Sequence, residues 1–208
     1  MSIYNSVSIV IPMRNESKHI KKCLDSLLDQ DWIDSKIEII VVDGESDDNS
    51  YEIVKKTLLN HSNFKILHNP KKITPISLNM GVKAATGDVI IILGSHSYVA
   101  KDFVSKNIHF LNTMEVDCVG GSISPIGDSY QGNAIALAMS SPIGVGNAFY
   151  RYSKVQRLVD TVQFGAYKRE VFNRIGYFDE ELIRNQDFEL NYRIVSTGGK
   201  ILLAPQVN

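Results

Sequence analysis

In three places along the chain a chemically capable polar group follows an apolar run or opens a helix. Asp43 ends the run 37–42. A carboxylate there can accept hydrogen bonds from a base or a ribose, as acids after strands do in dinucleotide sites. Its neighbours Asp47 and Asp48 precede a helical pattern and read as capping or turn acids. Gly94-Ser95-His96-Ser97 follows the aliphatic run 89–93. Glycine lets a ligand approach the backbone closely. Histidine can ligate a metal or donate to a phosphate, although a lone histidine is as readily an ordinary surface or core residue. Asp187 and Glu189 lie two apart at a helix start. Positions two apart do not share a helix face, so one acid should point at a site and the other away. Asp187 is a candidate general base, while spacing alone favours plain stabilisation by the helix dipole. Lys71 and Lys72, beside Pro70, carry the charge to hold a phosphate; in isolation, two loop lysines read as solvated charge. His19, His61, His68 and His109 have no partner spacing and read as solvated.

The elements that must position these groups show as alternating periods. Residues 7–11 form a β-rich run stopped by Pro12, and 37–42, 64–67 and 88–93 are further strands. Between them Ile20, Leu24, Leu27 and Leu28, then Ile53, Val54 and Leu58, then Leu78, Val82 and Ala85 recur at helical spacing. A fourth helix is expected over 101–113. Alternation of strand and helix predicts β-α-β units, a parallel sheet, right-handed crossovers and helices on both faces. Ligands of such sheets bind beyond the carboxyl ends of the strands, which selects 12–16, 43–48 and 94–97. The later half is less regular. Strands are expected over 116–122, 163–167 and 200–203, and helices over 168–175 and 186–196. The Gly-, Ser-, Asn- and Ala-rich stretch 125–152 reads as loop with short helical pieces.

A chain of 208 residues, 44% hydrophobic and 22% charged, suits one globular domain with a sizeable core. Its 22 lysines and arginines against 23 acids leave a net charge of -1. That gives no electrostatic case for nucleic acid as a partner or for a polybasic membrane anchor. Cys23 and Cys118 lack the spacing of a zinc or redox pair and are expected on apolar faces. No basic-then-apolar leader opens the chain, and the aliphatic runs are too short to span a bilayer, so a cytoplasmic location is expected. Residues 202–208 read as the middle of a connection, so a fragment truncated at the carboxyl end is expected.

The ordered set Val7-Ser8-Ile9-Val10-Ile11-Pro12-Met13-Arg14-Asn15-Glu16, then 38–48, Leu78-Asn79-Met80-Gly81, Ala85-Thr86-Gly87-Asp88, 164–170 and 176–180 resembles a family 2 glycosyltransferase. Arg184-Asn185-Gln186-Asp187-Phe188-Glu189-Leu190-Asn191-Tyr192-Arg193 is similar to the succinoglycan-biosynthesis glucosyltransferase branch of that family. The resemblance implies the α/β GT-A fold: a Rossmann-like, mostly parallel sheet flanked by helices, forming one domain over 1–208. Residues 1–115 would be the nucleotide-sugar-binding half and 116–208 the acceptor and catalytic half. It implies an inverting transferase that moves a sugar from a UDP-sugar to a glycan or lipid-linked sugar acceptor in exopolysaccharide or other cell-surface polysaccharide synthesis. The full-length protein would be membrane-associated, at the cytoplasmic face of the inner membrane. Pro12, Arg14 and Glu16 would line the nucleotide pocket, Asp43 would contact uracil, and Lys72 would face the nucleotide. Asp187 would be the catalytic base. A divalent cation, Mn²⁺ or Mg²⁺, would offset the charge of the leaving diphosphate.

In that family an Asp-x-Asp usually follows the third strong strand. Here Gly94, Ser95 and His96 stand in its place and would complete the nucleotide-sugar site. His96 is left as the candidate metal ligand, suited to Mn²⁺ more than to Mg²⁺. The missing carboxylate keeps a second reading open, a nucleotide-sugar-binding protein with reduced or no catalysis. A nucleotidyltransferase is disfavoured, because 12–15 holds no glycine for a phosphate loop.

Overall fold

The computed structural model describes residues 4–33, 36–127, 129–146 and 148–207. Eight strands make one sheet: β1 (Val7–Met13), β2 (Ile37–Asp43), β3 (Phe64–His68), β4 (Val89–Ile92), β5 (Cys118–Gly120), β6 (Arg157–Val159), β7 (Ala166–Lys168) and β8 (Ile201–Leu203). Their order across the sheet is β3-β2-β1-β4-β7-β5-β8-β6. The helices are α1 (Ile20–Leu28), α2 (Ser50–Leu58), α3 (Thr74–Ala84), α4 (Phe103–Thr113), α5 (Tyr130–Ala138), α6 (Pro142–Val145), α7 (Arg169–Ile175) and α8 (Gln186–Ser196). None among the described residues is long and apolar enough to cross a membrane.

β1 and β2 read as nearly continuous apolar runs because helices cover both faces of the sheet. Alternate side chains go to opposite layers. Ile9, Ile11, Ile39 and Val41 pack in one layer with residues of α1, α2 and α4. Val10, Ile40 and Val42 pack in the other with residues of α3, α7 and α8. Burying each such side chain contributes about 1.5–3 kcal/mol relative to leaving it in water. Cys23 and Cys118 are free and buried in these layers, as expected.

The four strands β1 to β4 pair in parallel throughout, as the alternating pattern requires. The later half corrects the expectation of a parallel sheet. β7 lies antiparallel between β4 and β5, and β6 is antiparallel to β8; only β5 with β8 is parallel there. β7 starts at Ala166 rather than 163 because Phe164 is left-handed, with φ 55, a conformation outside the extended region a strand needs. β5 has shrunk to three residues. β6 escaped the sequence pattern because two of its three side chains are exposed and Val159 alone packs, partly buried, against the core.

Several residues of the family-like segments join the two halves. Asn79 donates to Phe178 O and Glu180 Oε1, both at 2.9 Å, and accepts from Phe178 N at 2.9 Å. Arg169 donates to Ala85 O at 2.9 Å and to Gly87 O at 2.7 Å. Gly87 lies directly on β1: a Cβ there would stand 2.6 Å from Ser8 N and from Val7 C.

Candidate active site

Beyond the carboxyl end of β1, the loop 12–16 is laced to the turn 43–50. Gly44 N donates to Met13 O (2.8 Å), Asn15 N to Ser46 Oγ (3.0 Å) and Asp47 N to Asn15 Oδ1 (2.9 Å). Glu16 N donates to Ser50 Oγ (2.7 Å) and Ser17 N to Asp48 Oδ2 (3.1 Å). The acid-rich turn is thus a brace. Asp48 also accepts from Ser50 N at 2.9 Å at the start of α2. The Ser50 hydroxyl above all holds its carboxyl below the usual range. Asp43 is buried behind this turn, accepting from Ser46 Oγ at 2.6 Å and Ser46 N at 3.3 Å. His68, expected to be solvated, keeps an open edge but stands 3.8 Å from the Asp43 carboxylate, its ring 5.2 Å from that of Tyr51.

Lys72 is left-handed, with φ 63, and pairs with Glu45 at 3.0 Å. Its loop is held by Asn69, which is fully buried. Asn69 donates to Ile73 O and Ser77 Oγ, both at 2.9 Å, and accepts from Lys71 N at 2.9 Å. No sequence signal marked Asn69, since one asparagine in a loop looks like any other turn residue.

A cavity of 290 Å³ collects Pro12, Arg14, Glu16, Lys72, Gly94, Ser95, His96 and Asp187. Every residue expected at the site lines this one opening except Asp43, whose neighbour Gly44 does. Gln163, Phe164 and Gln186 also line it and were missed. A larger cavity of 590 Å³ adjoins it, with Tyr98, Val99, Phe103, Ile123, Ile126 and Arg151 on its walls; His96, Gln163 and Phe164 line both. Gly94 lines the cavity with its backbone beside the Phe164 ring. A Cβ at Gly94 would stand 2.9 Å from Phe164 Cζ and 3.3 Å from Ser97 Oγ. The Phe164 ring occupies the space that a side chain at 94 would take.

Asp187 sits in the first turn of α8, after Asn185 (φ 62), whose side chain does not cap the helix. α8 is firmly placed. Asn191 donates to Thr161 Oγ1 (3.0 Å) and Val162 O (2.7 Å) and accepts from the Tyr167 hydroxyl (3.2 Å). Arg193 donates to Glu189 Oε1 (2.5 Å), Ile175 O (2.5 Å) and Tyr177 O (2.7 Å). The two acids divide as their spacing demands: Glu189 is engaged by Arg193, and Asp187 faces the cavity. Burial pushes the Asp187 carboxyl up to about 6. No described residue donates a hydrogen bond to it. A desolvated carboxylate, free of partners and aimed into a cleft, is suited to accept a proton from a hydroxyl at neutral pH.

The metal-ligating types in the cavity are sparse. His96 Nδ1 lies 3.3 Å from Glu16 Oε1. Among the described residues no group of three or more His, Cys, Asp and Glu side chains gathers to hold an ion. Two donors do not complete the shell of a resident divalent cation. They fit one that brings further oxygens with its ligand.

Residues 8–176 match the family described as Glycosyl transferase family 2. A Methanococcus voltae protein described as dolichyl N-acetyl-alpha-D-glucosaminyl phosphate 3-beta-D-2,3-diacetamido-2,3-dideoxy-beta-D-glucuronosyltransferase is 32% identical, across 98% of this chain and 65% of its own length. The succinoglycan biosynthesis protein ExoA of Rhizobium meliloti is 26% identical across 96% of this chain and 61% of its own. The chain therefore spans less than two thirds of either relative. In fold it matches the S. aureus TarS 1–349 structure in complex with UDP-GlcNAc, with a TM-score of 0.77 at 21% identity, covering 96% of this chain and 56% of that one.

Proposed function

The chain belongs to glycosyl transferase family 2, and from that membership we propose that it transfers a sugar from a UDP-sugar to a hydroxyl of a glycan or lipid-linked sugar, with inversion. The observation that carries this reading is the meeting of Asp187 with Arg14, Glu16, Lys72 and His96 in one cavity. Arg14 and Lys72 bring positive charge for a diphosphate. The turn braced by Asp43 presents Gly44 at the same opening, where the base would lie. Asp187 takes the proton of the acceptor hydroxyl as its oxygen attacks the anomeric carbon. The bond from that carbon to the diphosphate breaks, through an oxocarbenium-like transition state, and UDP leaves. The larger cavity is the room for the acceptor, meeting the donor at His96, Gln163 and Phe164. The Methanococcus relative, named for a dolichyl-linked sugar phosphate, supports an acceptor of the lipid-linked class. His96, with Glu16 beside it, would hold Mn²⁺ or Mg²⁺ together with the diphosphate; when bound, the ion neutralises the leaving group.

Calorimetric titration with UDP, and with GDP and dTDP as comparators, each with and without Mn²⁺, tests the donor half. UDP-selective binding is the expected result. Asp187→Asn should retain that binding and lower transfer by about 10²–10⁴-fold, the scale of general-base catalysis. Absence of nucleotide binding, or wild-type turnover in the variant, would remove the proposal.

A further inference from the structure

The wall of the larger cavity runs out into a helical hairpin. Ile123 N donates to Tyr150 O at 2.8 Å, closing its base, and Gly127 packs against the backbone of Gly132. Beyond that base α5 and α6 bury no side chain. Tyr130, Ile135, Leu137 and Ile143 are 91%, 60%, 76% and 98% exposed. Isolated apolar side chains on a surface are ordinary; a whole hairpin of them with nothing underneath marks an interaction surface.

The charge pattern names the partner. No residue from Ser129 through Tyr150 is charged. Arg151, Lys154 and Arg157 follow at once, and no acid occurs before Asp160. A chain of net charge -1 thus carries an uncharged tip followed by three basic residues, with Asp128 the one acid at its start. Tyrosines 130, 150 and 152 lie at the transition, where amphipathic rings suit a lipid–water boundary. A second copy of the chain would bring two such basic bases together, like charge on like. An anionic lipid surface complements both parts. α5 and α6, of nine and four residues, are too short to span.

We propose that the hairpin of α5 and α6, residues 129–146, docks on a bilayer surface bearing anionic headgroups, its tip at the acyl boundary and Arg151, Lys154 and Arg157 against the phosphates. Pro125, Ile126 and Arg151 belong both to this region and to the larger cavity, so docking sets the cavity mouth at the lipid surface. That last consequence rests on the transferase reading; the docking itself does not.

The test is co-sedimentation of the purified chain with phosphatidylcholine vesicles, and with vesicles containing phosphatidylglycerol as well. Three basic residues predict an anionic preference on the order of 100-fold, weakened by salt. Ile143→Asp and Leu137→Glu change exposed side chains, so the fold is kept, and each should weaken vesicle binding at least about tenfold. UDP titration of the same variants separates the two readings: lost vesicle binding with retained UDP binding supports docking whatever the enzyme transfers. Failure to sediment with anionic vesicles, equal binding to both vesicle types, or binding indifferent to both substitutions overturns the proposal. So does self-association that Ile143→Asp dissolves in the absence of vesicle binding, which would assign the face to a second copy.

Discussion

Asp187 is asked to do what its surroundings resist. Its folded value of about 6 lies above the 3.8 of an unperturbed aspartate because burial disfavours the charged form. The folded state therefore holds the proton more tightly, and stability is lost as pH rises from the lower value through the upper. The two-unit difference corresponds to about 3 kcal/mol once the group is fully charged. Asp187→Asn should accordingly melt higher than wild type at alkaline pH, by roughly 6–12 °C for a chain of this size. The gain should vanish at a pH below the unfolded value, as thermal scans across pH would show. The catalytic sign is opposite. If Asp187 is the base, as proposed, transfer needs its carboxylate and the rate should drop about tenfold per pH unit below 6; a flat profile across that window would exclude Asp187 as the titrating base. At this scale the sequence marked residues that the structure gathers around one cavity, because acids, lysines and a histidine near strand ends stand out by their type. It could not tell that Asp43 is consumed by Ser46, since burial and partner choice depend on a turn three residues long.

Gly94 and Phe164 form a unit of two elements, one after β4 and one before β7. The left-handed backbone at Phe164 drives the ring into the volume beside Gly94. Gly94→Asp should therefore not rebuild an Asp-x-Asp-like metal motif. It should lower stability in chemical denaturation by about 1–3 kcal/mol through overpacking. Adding Phe164→Ala should recover much of that loss, because the crowding atoms are the ring, and should give Mn²⁺-enhanced UDP binding by calorimetry. Equal destabilisation in single and double variants would show that the ring is not the obstacle. The elements themselves were legible where a signal existed: β1, β2 and β4 show as nearly continuous buried apolar runs, and helices such as α1 to α3 repeat at three to four residues over buried faces. β6 and the start of β7 were not, because an edge strand with exposed side chains and a residue of positive φ leave no period to count.

Across the whole molecule, much of what made the sequence look familiar proves to be joinery. Asn79, Gly87, Arg169 and Arg193 touch backbone of distant segments and do not line the smaller cavity. Gly87→Ala should be more damaging than most site substitutions. Its Cβ would meet the backbone of β1 at 2.6 Å, which cannot swing aside as a side chain can. A loss of about 3 kcal/mol in unfolding free energy is expected, with UDP affinity unchanged in the fraction that folds. The order β3-β2-β1-β4-β7-β5-β8-β6 also has a consequence for how the chain is made. Strands β1 to β4 find their parallel neighbours among one another, whereas β5 pairs only with β7 and β8, both later in the chain. On a translating ribosome the loops 12–16, 43–48, 69–73 and 94–96 all emerge before β7, and the outer edge of β4 waits unpaired until Ala166 arrives. Synthesis therefore delivers residues 12–96 of the smaller cavity before Gln163, Phe164, Gln186 and Asp187, so the nascent chain passes through a stage in which one wall of that cavity exists without its desolvated carboxylate.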